Sequence, residues 1–109
     1  MLKEACVENF TNVPGVIERG AKRIELCDNL AVGGTTPSIG VIKITAEYCS
    51  DKDASIIVIL RPRGGDFVYS LMEKAIMMRD LEEIIASHAN GIAVGALTAA
   101  NALDKPFLE

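Results

Sequence analysis

The sequence predicts an α/β fold built on a parallel sheet, and three observations predict it. Short β-branched or apolar runs alternate with segments whose apolar residues recur at helical spacing. The connections between them are short and carry turn chemistry. One run, Ile56-Ile57-Val58-Ile59-Leu60, is continuously apolar, as a strand covered on both faces would be. Strict alternation of this kind gives parallel strands joined by right-handed crossovers, here within a single domain spanning 1–109.

Leu2 to Val7 reads as the first strand. Thr11 or Asn12 can cap the first helix, and Pro14 suits its first turn, where a missing N–H is harmless. That helix runs to about Arg19 and stops at Gly20, a good residue for the left-handed position past a helix end. Arg23 to Cys27 is the second strand, followed by a loop from Asp28 to Thr35. Thr36 is the expected cap of the next helix, with Pro37 at its first position and Ile39, Ile42, Ala46 and Cys49 as its apolar stripe. The run at 56–60 is the third strand, and Arg61 to Tyr69 is a loop. Ser70 and Glu73 form an S-x-x-E capping box. The helix behind it should place Ile76, Met77, Leu81, Ile84, Ile85 and His88 on one face and end at Asn90-Gly91. Ile92 to Leu97 is the fourth strand, and a further helix begins near Asp104.

Composition excludes several classes of function. The net charge of −4 argues against a general nucleic-acid binder, because neutralising phosphates takes clustered Lys and Arg. No apolar run approaches the ~20 residues that span a bilayer. The N-terminal Met-Leu-Lys-Glu-Ala-Cys lacks the basic and apolar regions of a signal peptide. A cytoplasmic location is expected, where thiols stay reduced. The odd count of 3 cysteines also fits a disulfide framework poorly.

One internal echo carries chemistry. Glu4-Ala5-Cys6 and Glu25-Leu26-Cys27 repeat a Glu-x-Cys pattern in successive strands. Alternation puts Glu and Cys of each copy on one face, and apolar helices are a poor cover for Glu. That face should therefore be the one turned away from the helices. Adjacent strands lie ~4.8 Å apart, so Cys6 and Cys27 can approach each other near the carboxyl ends, where α/β sites collect. Two neighbouring thiolates are soft ligands that suit Cu(I). The bland alternative is that each is a small buried hydrophobe, the commoner place for a free Cys, and a redox pair is a third and lesser alternative. Cys49 lies on a helix stripe and reads as packing. Glu4 and Glu25 need partners if buried, and Arg61 and Arg63 follow the third strand at the same alternation. These groups could form a structural lattice or a polar floor that orients an anion.

Gly64-Gly65, with Asp66 and Tyr69, permits a tight turn that exposes backbone N–H groups. Gly33-Gly34-Thr35-Thr36 leads into a helix N-terminus but lacks the ending of a phosphate-binding P-loop. His88 lies near a helix end and reads as structural, and Met72, Met77 and Met78 read as packing.

Three stretches together resemble one family: Arg-Ile-Glu-Leu-Cys-Asp-Asn-Leu-Ala-Val-Gly-Gly-Thr-Thr-Pro-Ser at 23–38, Arg-Pro-Arg-Gly-Gly-Asp-Phe-Val-Tyr-Ser at 61–70, and Gly-Ile-Ala-Val-Gly-Ala-Leu-Thr at 91–98. The chain resembles the CutC family, linked by name to copper homeostasis. The resemblance implies parallel (β/α) repeats forming half of a TIM (β/α)8 barrel, with about four strands and three to four helices of it present. A full barrel needs roughly 200 residues or more, so the chain is expected to be truncated relative to it. The resemblance also implies a cytoplasmic protein that binds Cu(I) through Cys6 and Cys27. It maps shared polar residues onto Glu4, Glu25, Arg61, Arg63 and Asp66. The rival expectation is a barrel enzyme on a small anionic substrate, with Glu25 or Glu4 as general base and Arg61 and Arg63 holding the anion. A homo-oligomer would cover the open edges of a half barrel.

Overall fold

A computed structural model describes residues 2–109. The chain runs β1 (Glu4–Glu8), α1 (Val13–Glu18), β2 (Arg23–Cys27), α2 (Ile39–Cys49), β3 (Ser55–Leu60), α3 (Leu71–Ala86), β4 (Gly91–Val94) and α4 (Lys105–Leu108), with a 3-10 turn at Leu30–Val32. All strand pairs are parallel, in the order β1-β2-β3-β4. The predicted α/β alternation is therefore present throughout, and β2 has the expected bounds.

Specific caps set the end of α1 and the starts of α2 and α3. Gly20 has φ +97, and the bonds Ala21 N–H to Val16 O and Gly20 N–H to Ile17 O close α1 in a Schellman motif. Ser70 and Glu73 make the reciprocal capping box at the start of α3. The cap of α2 is Ser38, which accepts from Val41 N–H at 3.2 Å, and not Thr36. Thr36 is engaged elsewhere: its N–H donates to Arg61 O, and its hydroxyl accepts from Arg61 N–H at 2.9 Å. It fastens the β2–α2 loop to the end of β3.

The core lies between the sheet and the helices. Ile24, Leu26 and Val58 from the strands meet Ile42 of α2 and Met77 of α3, all fully buried. The apolar run of β3 is not covered on both faces. Ile56, Val58 and Leu60 are buried against helices, while Ile57 and Ile59 are only half-buried on the other side. A hydrophobic second face is what the interior of a closed barrel requires. It is here termed the inner face.

Other boundaries also differ from the sequence-based expectation, three of them by two residues or more. β1 starts at Glu4 instead of Leu2. β4 ends at Val94, because its ladder partner Leu60 is the last residue of β3 before Pro62, which has no N–H to donate. α3 stops at Ala86, with Ser87 as cap and His88 in the left-handed region at φ +63. His88 is thereby turned out of the expected apolar stripe and is exposed, and Ile85 is 66% exposed. Asn90 caps nothing: its Oδ1 accepts from Ile56 N–H at 2.7 Å and anchors β3.

Candidate metal centre

The inner face of β1 carries Glu4, Cys6 and Glu8, and that of β2 carries Arg23, Glu25 and Cys27. Burial of the alternate residues Val7, Ile24 and Leu26 fixes these directions. The register sets Cys6 opposite Glu25 and Glu8 opposite Cys27. The two Glu-x-Cys copies are thus offset by one pleat. Cys6 reaches diagonally towards Cys27, and their Sγ atoms lie 3.8 Å apart. The Glu25 Oε1 is 4.0 Å from Cys27 Sγ. One ligand atom from each of Cys6, Glu25 and Cys27 fits within a 4.8 Å cluster.

The environment of the pair is asymmetric. Cys6 is exposed, whereas Cys27 is 1% exposed. Burial pushes the Cys27 thiol up to about 12, helped by its hydrogen bond with Cys6 and by the negative charge of Cys6, Glu25 and Glu8. Space for the Cys27 sulfur is provided by Gly34, at φ +98. A Cβ there would sit 3.4 Å from Cys27 Sγ and 3.2 Å from Ile59 Cδ1. Cys49 is buried in the core on α2, away from this cluster.

Arg61 and Arg63 do not meet Glu4 or Glu25. Glu4 pairs with Arg23, its register partner. Arg61 is 8% exposed, and its Nη atoms donate to the carbonyls of Val32, Gly34 and Gly65 at 2.7, 2.9 and 2.9 Å. Gly33 makes room for it, because a Cβ there would lie 3.0 Å from Arg61 Nη1. Arg61 is therefore a clamp joining the β2–α2 and β3–α3 loops. Arg63 forks onto Glu73 at 2.6 and 3.3 Å, donates to the carbonyls of Asp66 and Val68, and stacks on Tyr69. It ties its own loop to the first turn of α3. Asp66 pairs with Arg63 at 3.2 Å and accepts from Val68 N–H. The expected Glu4/Glu25–Arg61/Arg63 lattice is replaced by two separate networks: Arg23 neutralises Glu4, and loop carbonyls with Glu73 take up Arg61 and Arg63.

Sequence reasoning missed Glu8, Arg23 and Glu73 as members of these networks. The alternation that singled out Glu4 and Cys6 also carries Glu8, and that of Glu25 and Cys27 also carries Arg23. Glu8 accepts from Leu30 N–H at 2.9 Å and so holds the loop above Cys27. Glu73 was visible only as a capping residue.

The family model for CutC matches residues 1–109. The chain belongs to the CutC family. A CutC family protein of Enterococcus faecalis is 50% identical over 109 residues, covering 100% of this chain and 52% of the relative. A human protein named copper homeostasis protein cutC homolog is 39% identical over 104 residues, covering 95% of this chain and 37% of its own length. A crystal structure described as a putative copper homeostasis protein CutC, from Streptococcus agalactiae, superposes with a TM-score of 0.94 at 42% identity. The superposition covers 99% of this chain and 51% of that one. The chain thus spans about half the length of its bacterial CutC relative and forms half of a TIM-type barrel. The inner face corresponds to the barrel interior, and the Cys6–Cys27 pair stands towards the carboxyl ends of the first two strands.

Proposed function

We propose that this CutC chain binds Cu(I) through Cys6 and Cys27 in the service of copper homeostasis in the cytoplasm. The observation that carries the reading is the 3.8 Å approach of two thiols from adjacent strands. Soft sulfur donors select a soft monovalent ion. The asymmetry of the pair also suits capture: exposed Cys6 meets an arriving ion, and buried Cys27 holds it out of water. No helix among the described residues is long and apolar enough to cross a membrane.

Titration with Cu(I) under anaerobic, reducing conditions against a competing chelator tests the reading. The wild-type chain should take up a single ion, and the Cys6→Ser/Cys27→Ser double variant should lose it. Unchanged uptake in the double variant would overturn the proposal. The rival reading, an anionic substrate held by Arg61 and Arg63, has less in its favour. The donors of both guanidinium groups are largely committed to carbonyls and to Glu73, although Arg61 Nε has no partner among the described residues.

A further inference from the structure

We infer that Glu25 is a third ligand, and that the Cys6–Glu25–Cys27 cluster accepts a divalent ion of the zinc class as well as monovalent copper. This rests on the proposal that Cys6 and Cys27 bind metal, and it extends that proposal to the ion the site can hold and to the residue that decides it.

Geometry carries the inference. Two sulfurs on one ion at ~2.3 Å each would stand about 4.6 Å apart in a linear arrangement and about 3.8 Å apart at a tetrahedral angle. The observed spacing of 3.8 Å matches the bent arrangement, which leaves room for further ligands. The Glu25 carboxylate lies 4.0 Å from Cys27 Sγ, and Glu25 stands directly opposite Cys6 in the register. It is half-buried, and among the described residues it has no cationic partner and no donor other than the Cys27 thiol. Arg23, the nearest arginine along its own strand, is engaged by Glu4. With no cation engaged, this carboxylate is free to complete a metal ion held by the two sulfurs.

Charge points the same way. Cys6, Glu25 and Cys27 would carry three negative charges as ligands, and Glu8 stands beside them on the inner face. A divalent ion offsets more of that charge than Cu(I) does. Two thiolates with one carboxylate form a donor set that zinc accepts, with a fourth position left for water. Cu(I) would use the sulfurs and leave the hard oxygen aside.

The test compares the wild-type chain with Glu25→Gln, a near-isosteric change that leaves both thiols in place. Zn(II) affinity is measured by chelator competition, Co(II) is used as an optical probe, and Cu(I) affinity is measured in parallel. Zn(II) binding should weaken by at least about 10–100-fold, the range seen when even supporting residues of metal sites are lost. The sulfur-to-cobalt charge-transfer bands should persist while the ligand-field bands change. Cu(I) binding should be unaltered. Equal Zn(II) affinity and identical Co(II) spectra in the two chains would overturn the role of Glu25. The Cys6→Ser/Cys27→Ser variant separates the two proposals. If it loses Cu(I) while Glu25→Gln changes nothing, only the third ligand fails. If it retains Cu(I) and Zn(II), the thiol site fails and the third ligand with it.

Discussion

Replacing Gly34 by Ala separates what the loop contributes to the fold from what it contributes to the thiol pair. Gly34 sits at φ +98, and a left-handed conformation costs an L-residue about 1–2 kcal/mol. The added Cβ meets Ile59 Cδ1 at 3.2 Å and Cys27 Sγ at 3.4 Å. The second distance is an ordinary contact. The first is relieved by rotation of the Ile59 terminus, which lies on the half-open inner face. The steric contribution is therefore small, and backbone strain dominates. A loss of about 1–2 kcal/mol is a fraction of the ~5–15 kcal/mol that holds a domain together, so the variant remains folded. Urea denaturation followed by circular dichroism should show a lower midpoint with an unchanged slope. Metal affinity should be preserved, because the Cys27 sulfur is not displaced. Equal or greater stability would refute the strain argument. Preserved stability with lost metal binding would show that the Cβ acts on the sulfur and not on the backbone.

Other perturbations read other parts of the molecule. Gly15→Ala, inside α1 with nothing within 4 Å of the new Cβ, should raise stability by about 0.5–1 kcal/mol in the same denaturation assay. Arg61→Met should lower it by upward of about 3 kcal/mol, because three hydrogen bonds from a charged donor, worth ~1.5–3 kcal/mol each, are lost together. Limited proteolysis should then cut within residues 29–36. Arg63 and Ser70 hold the Glu73 carboxyl down from 4.5 to about 2, so its stabilising effect is complete above pH 4.5 and disappears as pH falls towards 2. Acid titration of Glu73→Gln should lack that component. Iodoacetamide at pH 8 should modify exposed Cys6 long before Cys27, which is buried and whose thiol is pushed up by that burial. Peptide mass mapping over time reads the order.

Local chemistry was legible in the sequence, and register was not. The bounds of β2, the Schellman end at Gly20 and the Ser70–Glu73 box all follow from residues within one turn of each other. Alternation alone placed Glu4, Cys6, Glu25 and Cys27 on one face. It could not tell that Cys6 stands opposite Glu25, because a pairing register is set between strands. The partners of Arg61 and Arg63 were hidden for the same reason. Arg61 reaches carbonyls 27 and 29 residues away, and no side-chain pattern announces a backbone acceptor. Thr36 and Ser38 are both acceptable caps by type. The choice fell to Ser38 because the end of β3 claims the Thr36 hydroxyl.

The offset between the two Glu-x-Cys copies matters more to function than their similarity. Aligned copies would have put thiol beside thiol and carboxylate beside carboxylate, two pairs of like groups. The shift by one pleat sets a carboxylate against a thiol across the strands and brings the second thiol in on the diagonal. It also works against a disulfide. Neighbouring strands are ~4.8 Å apart and two residues rise ~6.6 Å, so the diagonal Cα separation is near 8 Å, beyond the ~7 Å that a disulfide tolerates without backbone movement. Sulfurs that approach to 3.8 Å from backbones so far apart are better placed to share an ion than to bond to each other. All three ligand atoms come from β1 and β2 alone. The proposed metal site therefore depends on one strand pair, and oxidation of the chain should leave monomeric Cys6 and Cys27 unlinked under conditions that cross-link closer thiols.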